Sequence, residues 1–284
     1  MKRHKPENRE KIIMKIMIMT DMEGCAGILN FKDWVYPDGR NYEKGQRLLT
    51  AEVNAAIDGF FLGGVAEVVV VDGHGCGGID PELLDKRAIL SRGRYEKVWP
   101  WGLDKTYSAL AFVGQHAKAG TPYSHMSHTG WTDVIDCRIN NLSVGEYGML
   151  ALCAMELGIP TILACGEKEL AAEAEALTPG VITVSVKKGL LPDNWHRECT
   201  AEEYENAKLS AEHLAPLRSC EMIKADALKA ITKLKQSPDS FHYPKLLPPY
   251  RKITEYRACL VRNKLAHTNS AEHSSSIAEL MNME

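Results

Sequence analysis

Carboxylates and imidazoles recur at a few points of this chain, most with glycine close by. Asp21 and Glu23 stand two residues apart in Thr20-Asp21-Met22-Glu23-Gly24, directly after the apolar run Ile12–Met19. Asp72 and His74 follow the β-branched run Val65–Val71, and Gln115-His116 follows Ala109–Gly114. His125 and His128 come shortly after, and Gly145-Glu146 stands before a helical pattern. A single such group reads as a turn residue, a helix cap or an imidazole with a satisfied hydrogen bond. Their coincidence at successive strand ends, with no lysine or arginine beside the carboxylates, reads as an acidic pocket. Mixed Asp, Glu and His ligands suit zinc or a similar first-row divalent ion better than calcium or magnesium. Five such ligands exceed the three that one catalytic zinc takes from protein, so two ions are expected, with Asp21 as the bridge. Such a pair polarises a carbonyl and brings the pKa of a bound water toward neutrality.

Those side chains need a scaffold that gathers strand ends. Ile12–Met19 is too short for a stable helix and reads as a buried strand. Apolar residues at helical spacing from Tyr42 to Leu62 end at Gly63-Gly64, and Val65–Val71 reads as a strand covered on both faces. Strand, helix and strand in that order make a parallel βαβ unit. The alternation continues through strand Ala109–Gly114, helix Tyr147–Leu157, strand Thr161–Cys165, helix Lys168–Leu177 and strand Val181–Val186. The capping box Thr200 to Glu203 predicts a helix through about Leu214. Ala225–Leu234 predicts another, and Ile253–Val261 a late strand. The expected fold is α/β, a layered sandwich with a mostly parallel central sheet and a smaller C-terminal subdomain. Residues 1–12 are read as an arm, 13–190 as the catalytic core and 191–284 as the subdomain packed on it. In such a sheet, ligands bind beyond the carboxyl ends of the strands.

Composition narrows the function classes. The 284 residues carry 34 Lys and Arg against 37 Asp and Glu, a net charge of −3 that gives no broad cationic face for nucleic acid. Eight cysteines without a CxxC pair fit scattered core thiols in a reducing compartment, so a cytoplasmic location is expected. No apolar run is long enough to cross a membrane, and the N-terminus lacks the pattern of a secretory signal.

Six motifs together carry a family resemblance. Thr20-Asp21-Met22-Glu23-Gly24, Arg40-Asn41-Tyr42-Glu43, Asp72-Gly73-His74, Gly114-Gln115-His116-Ala117, Met126-Ser127-His128 and Val144-Gly145-Glu146-Tyr147-Gly148 appear in one order. They resemble the DppA-type zinc-dependent D-aminopeptidase family over about Lys15 to Lys187. The resemblance implies two zinc ions held by Asp21, Glu23, His74, His116 and Glu146, with His128 as the catalytic histidine. It also implies an α/β sandwich, a ring-like homo-oligomer such as a decamer, and removal of an N-terminal D-amino acid from short peptides. The loop before His128 is one residue longer than the pattern, and His125 is its rival. Ala258–Glu284 matches only loosely.

Other features read two ways. Gly73 to Gly78 satisfies GxGxxG after a strand, with Glu96 at the distance of a ribose contact, as a nucleotide-binding protein would have it. Against this, Pro81 follows too soon for a long helix. Hydrolysis of another amide or ester on the same scaffold is the other alternative. Cys25 and Cys76 are either reactive thiols or packing residues. Trp99 and Trp101 line a substrate wall or seal a subunit contact. Asn41, Tyr42 and Glu43 orient the metal ligands or cap a helix.

Overall fold

The computed structural model describes residues 14–93, 96–192 and 197–283. The expected arm at 1–12, and Ile12 and Ile13 of the expected first strand, lie outside them. The chain opens with β1 (Lys15–Thr20), a short α1 (Phe31–Trp34), α2 (Tyr42–Leu62), β2 (Glu67–Asp72) and β3 (Ala88–Ser91). Then come β4 (Ala109–Gln115), β5 (Val134–Ile139), β6 (Leu142–Ser143), α3 (Glu146–Leu157), β7 (Thr161–Glu167) and α4 (Lys168–Leu177). The last third holds β8 (Ile182–Gly189), α5 (Ala201–Ala207), β9 (Ala211–His213), α6 (Pro216–Gln236), β10 (Tyr250–Tyr256), β11 (His267–His273) and α7 (Ile277–Met281).

Seven strands form the central sheet in the order β3-β2-β1-β4-β7-β8-β9, all parallel except β9. Alternate residues of its strands feed two separate cores, as expected of a sheet covered on both sides. Ile16 and Ile18 of β1, with Val68 and Val70 of β2, pack with Leu49, Ile57 and Phe60 of α2 and Ile223 and Ile231 of α6. Met17 and Met19, with Val69 and Val71, pack on the other face with Leu150 of α3, Leu170 of α4 and Tyr250 of β10. A second, antiparallel sheet of four strands, β11-β10-β5-β6, belongs to this second side.

The strand order matters most at the carboxyl edge. The connection through α2 carries the chain from β1 to β2, whereas β4 lies on the opposite flank of β1. The loops after β2, β1 and β4 are therefore neighbours, at the point where α/β sheets open a crevice. Two glycines let the first loop lie against the third. The Gly24 N–H donates to the Gly114 carbonyl at 2.7 Å, and a Cβ on Gly24 would sit 1.9 Å from the Gln115 carbonyl oxygen. Gly114 itself has φ +77°, where a Cβ would meet the Asp21 carbonyl oxygen at 2.0 Å.

Three expectations need correction. The helix capped at Thr200 ends at Ala207, and β9 takes the place of its expected tail. The physical reason is Lys208, whose buried ammonium donates to the Thr121 carbonyl and Ser124 Oγ and so turns the chain inward. The strand expected over Ile253–Val261 runs instead from Tyr250 to Tyr256, because Arg257 is buried against the Thr132 carbonyl and the Tyr204 ring. The glycine loop opens no helix: β3 follows it, and Asp72 accepts the Gly78 and Ile79 N–H groups that a phosphate would need. The nucleotide-binding reading of Gly73–Gly78 fails on that geometry.

Gly114→Ala combines left-handed strain with a backbone clash and is expected to destabilise the fold by roughly 3 kcal/mol or more. A shift of the denaturant midpoint checks this; an unchanged midpoint would contradict the close approach.

Candidate metal centre

Asp21, one residue beyond β1, faces two ways. Its Oδ1 lies 3.1 Å from His74 Nδ1, and its Oδ2 lies 3.1 Å from His116 Nε2. Glu23 Oε2 stands 3.3 Å from that His74 nitrogen, and Glu146 Oε1 stands 3.5 Å from that His116 nitrogen. The structure thus brings all five expected ligands together, in two groups that meet at one carboxylate. His128 joins the second: its Nε2 is 3.8 Å from Glu146 Oε1, and its ring stacks on His116 with centroids 3.8 Å apart.

The donors fit divalent cations. Atoms bound tetrahedrally to one zinc at 2.0–2.2 Å lie roughly 3.3–3.6 Å from one another, close to the separations above. Glu23 Oε2 and His116 Nε2 are buried and lie outside hydrogen-bond geometry despite their short contacts. Lone pairs that converge without sharing a proton call for a cation between them. One ligand atom each from Asp21, Glu23 and His74 falls within 4.8 Å of the others, as does one each from His116, His128 and Glu146.

Backbone carbonyls orient the imidazoles. His74 Nε2 lies 3.1 Å from the Val35 carbonyl, His116 Nδ1 2.9 Å from that of Ala117, and His128 Nδ1 3.0 Å from that of Met126. Each carbonyl is satisfied by an N–H, which leaves the opposite nitrogen's lone pair facing the cluster. The carboxylates are fixed likewise. Met22 N–H and Gln115 Nε2 donate to Asp21 at 2.9 and 3.2 Å, and Gly130 N–H donates to Glu146 at 2.7 Å. Glu173 of α4 accepts from Lys118 and Gly145 N–H, tying the loop after β4 to the start of α3.

Three clustered acids demand positive charge. Burial disfavours the imidazolium, yet Glu23 and Asp21 outweigh it and push His74 up to about 12. The same opposition, with Glu146 and Asp21 prevailing over burial, raises His116 well above its usual range. Burial would raise Asp21, but His116 and His74 hold it well below the ordinary carboxylate range. Without a metal, the site draws protons onto its own imidazoles.

The cluster opens into a cavity of about 580 Å³, a size suited to a small ligand. Trp99, Trp101, Met149 and Met281 line one part of it, and Tyr36, Trp131, Arg262 and Lys264 another. Tyr36 stacks on Trp131 at 5.9 Å. Trp99 and Trp101 thus take the cavity-wall position. Cys76 borders the cavity, whereas Cys25 is fully buried in the core. Tyr42 Oη donates to the Gly77 carbonyl and braces the loop that carries His74. Asn41 stands at the N-terminus of α2 without a side-chain capping bond.

The rival His125 is not among the cavity-lining residues. It is fully buried with its ring edge-on to His213 at 5.3 Å, and burial pushes its pKa down to about 2. Sequence reasoning missed Lys187, whose buried ammonium donates to the Glu23 carbonyl from the end of β8. Burial pulls that ammonium down to about 8. The cavity wall from β10 and β11 was also missed: neither has a position in sequence that points to the cluster.

Comparisons with known proteins agree with this geometry. The family model described as D-aminopeptidase matches residues 14–275. A D-aminopeptidase of Bacillus subtilis is 37% identical over 180 residues, covering 62% of this chain and 64% of its own length. The chain therefore spans just under two thirds of that curated relative. Among solved structures, the Zn-dependent D-aminopeptidase DppA from Bacillus subtilis, a self-compartmentalizing protease, superposes with a TM-score of 0.74 at 29% identity. That superposition covers 86% of this chain and 82% of the other. On the family match across almost its whole described length, the chain belongs to the D-aminopeptidase family.

Proposed function

We propose that this chain is a zinc-dependent aminopeptidase that removes an N-terminal D-amino acid from short peptides. The single observation that carries the reading is the Asp21 carboxylate, each of whose oxygens faces a different imidazole. Asp21, Glu23 and His74 would hold one ion, and Asp21, His116 and Glu146 the second. Two zinc ions so held supply Lewis acidity toward a peptide carbonyl and acidify bound water. The name and fold of the DppA relative support zinc as the metal.

The chain's own residues supply positioning and proton transfer. With Nδ1–H committed to Met126, His128 presents Nε2 to the cluster beside Glu146, free to take a proton from the attacking water and return one to the leaving amine. Phe31, edge-on to the His128 ring at 5.4 Å, and the stacked His116 hold that imidazole in place. The cavity's Trp and Met side chains suit an apolar residue.

Every proposed ligand falls within residues 13–190, the expected catalytic core, while β9 and α6 of the later segment complete the central sheet and its first core and β10, β11 and α7 lie on the other side. The self-compartmentalizing relative supports a homo-oligomer, with a decamer as the specific expectation. All eight cysteines are free thiols, which suits a cytoplasmic location. No helix among the described residues is long and apolar enough to cross a membrane.

Metal analysis of the purified protein is expected to give about two zinc equivalents per chain, and assay of matched D- and L-alanyl dipeptides to favour the D form. Cleavage of neither peptide, with hydrolysis of a simple ester or amide instead, would move the reading to another hydrolase. His128→Ala is expected to lower kcat by roughly 10²–10⁴ with zinc content unchanged. Zinc loss in that variant would make His128 a ligand instead.

Zinc binding near neutral pH is expected to release about two protons, because His74 and His116, raised by the carboxylates, are protonated in the metal-free site and must be neutral to bind. Calorimetry in buffers of different ionisation enthalpy measures that number. A buffer-independent enthalpy would show that the imidazoles were already neutral.

A further inference from the structure

We propose that Arg262 and Lys264 form a subsite for the free C-terminal carboxylate of a short peptide, so that the enzyme selects peptide acids over peptide amides. This rests on the reading of the Asp21 cluster as a peptide-cleaving centre.

Two regions of the cavity differ in what they can bind. Its metal end carries Asp21, Glu23 and Glu146. The wall built by the second sheet is mostly polar: Thr254 and Tyr256 of β10 lie in register with Asn269 and His267 of β11, all four border the cavity, and so does Lys252 of β10, whose ammonium donates to the Met283 carbonyl. The turn that joins these strands then brings two cations, Arg262 and Lys264, to the same cavity. A peptide held with its scissile bond at the metal end can extend its C-terminal carboxylate toward this cationic turn.

Arg262 is positioned rather than loose. Its guanidinium lies over the Trp131 ring at 4.7 Å, and its Nη1 is 3.3 Å from Asp133 Oδ2. One edge of the fork is thereby fixed, and the remaining N–H donors can take a second carboxylate in the planar geometry that arginine favours. Lys264 forms no ion pair among the described residues. Asp133 therefore balances one of the two cations and leaves a net positive charge there. Glu202, close to the same turn but not among the cavity-lining residues, accepts the Val261 N–H at 3.0 Å.

The spacing suits a short ligand. Gly130, whose N–H binds Glu146, is the residue before Trp131, on which Arg262 rests. From metal ligand to guanidinium the contacts run through one hydrogen bond of 2.7 Å, one residue step of about 3.8 Å, the Trp131 side chain and a ring contact of 4.7 Å. Extended peptide advances roughly 3.3–3.6 Å per residue, so a chain of contacts this short is on the scale of a peptide of a few residues. A longer peptide would have to carry its carboxylate past these cations.

Steady-state kinetics of the zinc-loaded enzyme on D-alanyl-D-alanine and on its C-terminal amide test the assignment. The unsubstituted enzyme is expected to prefer the acid. Arg262→Gln and Lys264→Gln should each raise KM for the acid by about ten- to a hundredfold, with kcat and both constants for the amide nearly unchanged. Added salt should raise KM for the acid in the same direction, because both cations are partly exposed. If Arg262→Gln disturbs Trp131 and depresses amide cleavage as well, Lys264→Gln, whose side chain forms no ion pair among the described residues, decides the matter. Equal use of acid and amide by the unsubstituted enzyme, or equal factors on both substrates in Lys264→Gln, would overturn the proposal while leaving the peptidase reading intact. Failure of the unsubstituted enzyme to cleave either substrate would instead remove the peptidase reading, and this subsite with it.

Discussion

Like charges gathered in a crevice of low dielectric repel, and three carboxylates, Asp21, Glu23 and Glu146, meet here at adjoining strand ends. Positive charge must come from somewhere. The buried ammonium of Lys187 binds the Glu23 backbone carbonyl and that of Lys208 binds the Thr121 carbonyl and Ser124 Oγ, so neither pairs with these carboxylates. His74 and His116 supply it as protons, or give those protons up to divalent ions that bind the same lone pairs. Much of the local architecture follows from holding those acids together. Strand order places their loops side by side, Gly24 and Gly114 let two of those loops touch, and backbone carbonyls aim the imidazoles inward.

The second sheet completes the site from the other side. It carries no proposed metal ligand, yet its β10 and β11 residues border the same cavity as the cluster. A bounded, partly dry space strengthens electrostatic interactions and limits what enters. The proposed ligands thus span Asp21 to Glu146, whereas the hairpin of β10 and β11 that borders the same cavity lies more than a hundred residues later. Under this account, relatives could keep the metal cluster and change substrate by altering that hairpin alone.

The parallel sheet was legible because its strands are buried on both faces and read as continuous apolar runs between glycine-stopped helices; α2 and α4 match the sequence pattern residue for residue. The antiparallel sheet was not. Strand β11 reads His-Thr-Asn-Ser-Ala-Glu-His, and its cavity-facing positions are polar, so it lacks the apolar alternation that marks a half-buried strand. The five expected ligands were visible as strand-end residues, and the structure gathers them. What separates His128 from His125 is burial and direction, which two imidazoles three residues apart do not reveal. Lys187 and Lys208 escaped because a buried lysine has the same sequence signature as an exposed one, although each fixes the path of the chain around it.

The account stands on Asp21 as a shared ligand. Anomalous diffraction at the zinc absorption edge, on crystals of the zinc-loaded protein, tests that directly. Two peaks roughly 3.5–4 Å apart, one against each oxygen of the Asp21 carboxylate, are the predicted result. A single peak, or two peaks of which only one touches Asp21, would contradict it.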